Sequence, residues 1–493
     1  TIRRTSNTGE LMPINSFLYP GAKFVPPYQV ANSLRFEDGD SAYLERNFST
    51  TQDSRRKFTF SAWVKRGNLT TSTNIWGSSE GSGEGYNSLK FENHKLQYLS
   101  GNTSNSGTQV NLETNRLFRD VSAWYHIVLA VDTSQGTDSN RIKFYVNGSQ
   151  ETSFNTSTYP SQDTDLLTST TPQQTIGMRD LRGTNAQFWD GYMCEVVFID
   201  NQQLTPTSFG KFDSNSPNIW IPKSVSGLTF GTGGYYLEFK QSGTSQNSSG
   251  LGADTSGNDQ HFAISGLAST DQSTDTCTNN GCTIINASSA SKAYTLSEGN
   301  LKVTASASNW YGVPRGNIGV SSGKWYFEVK VTDENDYFVV GYMSATNLAD
   351  VGDRATNGYP KLNGFQSSGY IKRQDGTEVN VSSSFQWYDG DIAQIALDMD
   401  NKKLWVGKAG SYYNSGNPAS GSNETVGSSY FTSGETYLPA ITFYATNDGS
   451  FNFGSPPYSE SGGNSDANGY GNFNQSVPSG YYALNSKNLA EFG

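Results

Sequence analysis

Apolar and polar residues alternate along much of this chain with the period of two that a half-buried strand requires. Phe58-Thr-Phe-Ser-Ala-Trp-Val-Lys-Arg66 puts Phe58, Phe60, Ala62 and Val64 on one face and Thr59, Ser61, Trp63 and Lys65 on the other. Trp124-Tyr-His-Ile-Val-Leu-Ala-Val-Asp132 is apolar on both faces, as an inner strand between two layers would be. Arg141-Ile-Lys-Phe-Tyr-Val146 runs into Asn147-Gly148, a pair that tolerates the positive φ of a two-residue hairpin turn. Gly191-Tyr-Met-Cys-Glu-Val-Val-Phe-Ile-Asp200 is a further strand. Thr205 followed by Pro206 is almost the only start signal for a helix, and it predicts a short one.

A second set of strands begins near Leu296. It comprises Gly323-Lys-Trp-Tyr-Phe-Glu-Val-Lys-Val331, Tyr337-Phe-Val-Val-Gly-Tyr342, Gly390-Asp-Ile-Ala-Gln-Ile-Ala-Leu-Asp-Met-Asp400, Lys403-Leu-Trp-Val-Gly407 and Tyr437-Leu-Pro-Ala-Ile-Thr-Phe443. The expected organisation is all-β: two antiparallel β-sandwich domains, 31–222 and 295–460, with an ordered Gly/Ser/Asn-rich connector over 223–294 that carries short strands such as Tyr235-Tyr-Leu-Glu-Phe239. Residues 461–493 are expected to pack as a tail on the second sandwich. Residues 1–30 hold Pro13, Pro20, Pro26 and Pro27, which cannot donate to a ladder, and so predict an extended arm. Phe17, Tyr19, Phe24 and Tyr28 are the aromatic residues by which that arm would dock.

Composition narrows the function classes. Over 493 residues, 34 Lys and Arg against 45 Asp and Glu give a net charge of −11, which removes the electrostatic case for nucleic acid or an anionic membrane. No apolar run approaches the roughly 20 residues of a membrane-spanning helix, so no membrane insertion is expected. Thr1 to Glu10 shows neither a secretory nor a twin-arginine signal. Aromatics at 13% within only 34% hydrophobic residues concentrate the apolar content in few, large side chains. With three cysteines the cores must hold the fold; Cys194 is read as a buried strand residue, and Cys277 and Cys282 as free thiols rather than a bridge.

These motifs resemble known families. The Phe-x-x-x-x-Trp-Val strand, Trp-Tyr-His-Ile-Val strand, Phe-Tyr-Val-Asn-Gly hairpin and Gly-x-x-x-Glu-Val strand leading to Leu-Thr-Pro resemble, in that order, the laminin-G-like, concanavalin-like jelly roll over about residues 30 to 222. Gly-Lys-Trp-Tyr-Phe-Glu-Val, Val-Gly-Tyr, Gly-Asp-x-Ile-x-x-Ala-Leu-Asp, Leu-Trp and Leu-Pro-Ala resemble the SPRY domain over about 295 to 458. The two modules, the connector and the ending Val477-Pro-Ser-Gly-Tyr-Tyr-Ala-Leu484 together resemble virion proteins of marine bacteriophages. That resemblance implies a tail-fibre or capsid-appendage protein located on the virion. Its partners would be other virion proteins, further copies of itself, with a trimer favoured, and a host cell-surface glycan or protein. The alternatives are a capsid decoration protein that binds no ligand and a glycan-degrading enzyme on the jelly roll.

Candidate chemistry is sparse, and no catalytic residues are assigned. Glycosidases need two carboxylates about 5 to 9.5 Å apart on one face. Glu195 and Asp200, like Glu328 and Asp333, are an odd number apart and point to opposite faces of a regular strand, while Asp398 and Asp400 lead into the Asn401 turn. His126 is expected as a hydrogen-bonded core residue. No cofactor and no metal ligand are assigned, although the loops Asp132 to Asp138 and Asp254 to Asp259 are oxygen-rich enough for Ca²⁺. Sugar recognition uses aromatic faces with amide and carboxylate partners, which makes the loop pairs Trp310-Tyr311 and Tyr412-Tyr413 the ligand-binding candidates.

Overall fold

The computed structural model describes residues 28–49, 51–79, 85–102, 107–167, 171–180, 185–285, 294–305, 313–333, 338–346, 361–382, 384–443 and 447–493. These are nearly all strand and turn, arranged as two sandwiches of antiparallel sheets. No helix among the described residues is long and apolar enough to cross a membrane.

In the first sandwich the strand Lys57–Arg66 lies at the centre of one sheet, paired with Tyr125–Asp132 from Lys57↔Asp132 to Val64↔Tyr125 and with Gly191–Asp200 on its other side. Phe58, Phe60, Ala62 and Val64 face a core shared with the opposing sheet, where Trp76, Leu89, Phe91, Leu96 and Tyr98 meet them. The opposite face is buried as well, as the apolar character of Tyr125–Asp132 on both faces predicts. Val128, Val197 and Ile199 are covered there by Phe209, Val225, Phe230 and Tyr236.

That cover comes from residues after 204, which corrects the reading of 223–294 as a connector. Tyr235–Leu237 pairs with Gly191–Asp200, Gln272–Ser273 pairs with Ser33–Phe36, and Ala263–Ser265 pairs with Tyr43–Asn47. The short strands occupy sheet edges, whose open N–H and C=O groups would otherwise be left without ladder partners. Most of this segment is therefore part of the first sandwich.

The second sandwich contains all five expected strands, as Lys324–Asp333, Phe338–Ser344, Ile392–Asp398, Lys403–Lys408 and Tyr437–Phe443. Its core lies between Trp325, Phe327 and Val329 of one sheet and Phe338, Val340, Tyr342 and Ile441 of the other. The tail returns to it: Tyr482–Ala483 pairs with Lys324–Asp333 in a parallel ladder, and Phe473, Tyr481 and Ala483 cover Tyr326, Ala396 and Trp405.

The helical content differs from expectation. Thr205-Pro206 opens only a 3-10 turn, Pro206–Ser208. A seven-residue α-helix, Ser486–Phe492, closes the chain, capped by the Asn485 side chain accepting from the Asn488 N–H at 3.0 Å. Phe492 stacks on Tyr482 with ring centroids 3.7 Å apart.

Polar groups withdrawn from water hold the segment between the sandwiches and link the sandwiches themselves. Lys65 Nζ, fully buried, donates to Asp275 Oδ2 at 2.7 Å and to Asn280 Oδ1 at 2.8 Å. Trp124 Nε1 and the Gly281 N–H donate to Asp275 Oδ1, each at 3.1 Å. The Tyr192 hydroxyl donates to Gly299 O at 2.9 Å, and Asn300 Nδ2 to Gly67 O at 2.6 Å.

Candidate functional site

The site is built on the edge of the second sandwich, where Lys403–Lys408 turns back as Ser411–Tyr412. Ala409 and Gly410 take positive φ (50° and 79°), the geometry of a tight hairpin turn. On so extended a stretch, consecutive side chains diverge. Tyr413 turns inward, edge-on to Phe385 at 5.9 Å and 6.5 Å from Phe365, and this corrects its pairing with Tyr412 as a ligand residue. Tyr412 alone faces a cleft of about 670 Å³, whose walls include Gln394, Asn417, Pro418, Gln475 and Val477.

Buried groups hold both walls. The Glu328 carboxylate, with no solvent exposure, accepts the backbone N–H groups of Asn474 and Gln475 at 2.8 Å each and the Tyr326 hydroxyl at 2.8 Å. This fixes the tail segment that forms one wall. The other wall is tied by Trp405 Nε1 to Ser422 O at 2.9 Å and by the Tyr481 hydroxyl to Pro418 O at 3.3 Å. Gln394 Oε1 accepts the Gly410 N–H at 2.8 Å, and the Tyr412 hydroxyl is buried beside Gln394. Burial raises the Tyr412 phenol above its ordinary value, so it remains a protonated donor. A ring, amides and apolar Pro and Val surfaces in one open cleft suit a neutral polyhydroxylated ligand.

Trp310 and Tyr311 lie outside the described residues, as do Phe17, Tyr19 and Phe24. Tyr28 is described, and its role is corrected: its hydroxyl donates to Glu195 Oε2 at 3.0 Å and lies 3.0 Å from the Tyr236 hydroxyl of the same chain. An intramolecular site thus takes up the end of the arm. Gln394, Asn417, Gln475 and Val477 were missed because each is unremarkable in its own stretch of sequence. Only the fold brings 394, 412 and 475 together.

Among the other candidate carboxylates, Glu195 accepts the Tyr28 and Tyr236 hydroxyls, while Asp200 and Asp398 are occupied by backbone donors. Asp200 accepts from the N–H groups of Asp53 (2.6 Å), Ser54 (3.2 Å) and Gly233 (3.0 Å), and Asp398 from Asn401 (2.9 Å). Asp132 is bound by Ser134, Gln135 and Lys57, and Asp254 by Tyr236, Ser256 and Gln260, so both oxygen-rich loops spend these carboxylates on their own turns. His126 is the expected core residue: Trp220 Nε1 donates to its Nδ1 at 2.9 Å, Ser61 Oγ lies 2.9 Å from Nε2, and burial lowers its pKa to about 3. The three thiols are free, but Cys277 lies beside Cys194, Sγ to Sγ 3.6 Å, while Cys282 is in the second core.

Residues 38–208 match the family described as the Concanavalin A-like lectin/glucanases superfamily. The first sandwich has a concanavalin-like fold. No curated protein matches the chain. Among solved structures, a native heptameric SAP-like pentraxin from Limulus polyphemus is similar at 14% identity and a TM-score of 0.28, over 36% of this chain and 80% of its own. The SPRY domain of human HERC1 is similar at 17% identity and a TM-score of 0.22, over 35% of this chain and 92% of its own.

Proposed function

We propose that this chain is a non-enzymatic structural and adhesion protein of a bacteriophage virion, in a fibre or appendage, that binds host cell-surface glycan through the Tyr412 cleft. The observation that carries the binding reading is the cleft itself, which joins one aromatic face to the Gln394, Asn417 and Gln475 amides on walls fixed by Glu328 and Trp405. The concanavalin-like fold of 38–208, in a superfamily described by its lectins and glucanases, supports a binding role for the first sandwich too. The virion location, the partner virion proteins and a homotrimer rest on the resemblance of the whole chain. Repeated copies would turn weak sugar contacts into avidity. The non-catalytic reading is supported by Glu328, Asp200 and Asp398, whose oxygens are engaged by backbone donors.

The test is adsorption of the purified chain to host cells, competed by extracted surface polysaccharide. Saturable binding should persist after deletion of residues 1–27 and fall about tenfold or more in Gln475→Ala and Tyr412→Ala, the loss of one central contact being worth 1–2 kcal/mol or more. Unchanged binding in both variants removes the cleft from the reading. Reducing ends released from that polysaccharide would replace adhesion with hydrolysis.

A further inference from the structure

Three cysteines are present, and the fold brings two of them together. The Cys194 thiol donates to Cys277 Sγ across 3.6 Å, although the two residues are 83 positions apart in the chain. Cys282 stands apart, in the core of the second sandwich, with its thiol turned to the Thr283 carbonyl. Cys194 is fully buried and Cys277 half-buried, so the pair has one inner and one outer sulfur. Val30, Trp63 and Trp220 pack around them, an apolar shell that favours an uncharged bridge over a thiolate.

The loop that carries Cys277 clasps the residues by which the chain enters the first sandwich. Val30 donates its N–H to Thr278 Oγ1 at 3.0 Å, and its carbonyl accepts the Thr276 hydroxyl at 3.1 Å and the Thr278 hydroxyl at 3.2 Å. A regular strand would send Cys194 and Glu195 to opposite faces. The bulge after Cys194, with Glu195 at φ 52°, brings both to the same end of the chain: Tyr28 packs with the Cys194 cluster and donates to Glu195. Three pieces far apart in sequence, 28–30, 194–195 and 276–278, are thus held to one another without a covalent link.

A disulfide bond is about 2.05 Å long, so each sulfur has to travel less than about 1 Å, which small χ1 rotations supply. We propose that Cys194 and Cys277 are a latent disulfide that closes in an oxidising environment and locks the 276–278 loop, and the residues 28–30 it clasps, onto the first sandwich. The step balances with a glutathione-type disulfide as the oxidant. Half-buried Cys277 loses its proton, and its thiolate breaks the oxidant's S–S bond and releases one glutathione thiolate. Cys194 then gives up its proton and displaces the second glutathione thiolate from the mixed disulfide. Two electrons pass from the protein pair to the oxidant, and the released thiolates take up the two protons. Burial raises the Cys277 thiol well above its ordinary range, so closure is slow and air alone serves it poorly. The bridge lies in the first sandwich and the Tyr412 cleft in the second, so failure to close and failure to adsorb glycan are separate readouts.

For the test, the full chain is incubated with oxidised glutathione at pH 8, and a second sample is refolded from denaturant in a glutathione redox buffer. Free thiols are alkylated under denaturing conditions and the peptides mapped by mass. We expect one alkylated cysteine, Cys282, where the reduced chain has three, and a peptide joining Cys194 to Cys277. The melting temperature should lie about 5 °C or more above that of the dithiothreitol-treated chain, because the bridge closes a long loop in the unfolded state. Cys194→Ala and Cys277→Ser should each abolish the joined peptide and the shift, and Cys282→Ser should abolish neither. Cys277, the less buried of the pair, keeps the test valid if Cys194→Ala folds poorly. Three alkylated cysteines after both treatments overturn the proposal, as does a bridge to Cys282 or between two chains. A bridge that forms without raising the melting temperature overturns the lock.

Discussion

Glu195 has two tyrosine donors, from Tyr236 at 2.7 Å and Tyr28 at 3.0 Å, yet burial lifts its pKa to about 7. A carboxyl group raised in the folded state costs nothing below its unfolded pKa near 4.5, and ionising it becomes a growing penalty as pH rises from there through 7. The penalty at pH 8 is of order 3 kcal/mol. Glu195→Gln should therefore match the parent at pH 4.5 and melt at a higher temperature at pH 8, as scanning calorimetry at the two values will read; equal melting at pH 8 refutes this account of Glu195. At this scale the sequence was partly legible. The core role of His126 was readable because an apolar strand surrounds it, and that of Cys194 for the same reason. The roles of Tyr28 and Tyr413 were not: the prolines before Tyr28 suggested a free arm and the Ser, Gly and Asn around Tyr413 suggested an exposed loop, whereas their contacts, Glu195 and Phe385, come from 167 and 28 positions away.

Alternation located the strands because burial of one sheet face imposes a period of two on a dozen residues at once. It did not reveal the bulge in Gly191–Asp200, where Cys194 opposes Trp63 but Val197 opposes Ser61, and Glu195 takes φ 52°. One inserted residue leaves too small a trace in the pattern. The pairing of strands was illegible for another reason: Gln272–Ser273 joins an edge more than 230 residues back, and two residues carry no periodicity. The Ser486–Phe492 helix was missed because its signal is one cap residue, Asn485, before a single helical turn or two. Asn485→Ala should cost about 1 kcal/mol, seen as a lower denaturation midpoint of the second sandwich, and Asn485→Asp should retain most of the stability. Equal loss in both variants would mean that the cap is not what Asn485 supplies.

At the scale of the whole molecule, a buried ion pair between Lys65 and Asp275 ties the central strand of the first sandwich to the segment that leads into the second. Lys65→Met strands the Asp275 carboxylate, 7% exposed, and should destabilise the chain by about 3–5 kcal/mol in denaturant titration. Adding Asp275→Asn should restore part of that loss; a double variant no better than the single one would place the loss elsewhere than in the stranded charge. The two-module plan was legible as two separate runs of strands, but the junction was not, since Lys65 and Asp275 read separately as surface charges. The parallel ladder of Tyr482–Ala483 on Lys324–Asp333 has a consequence for the order of events in the cell. The first sandwich has its last strand by residue 273, so it can close while the ribosome is still at work. The second must wait for residues 481–492, and until they emerge Tyr326 and Trp405 stand uncovered, which makes the synthesis of residues 406–481 the interval in which a chaperone would be needed.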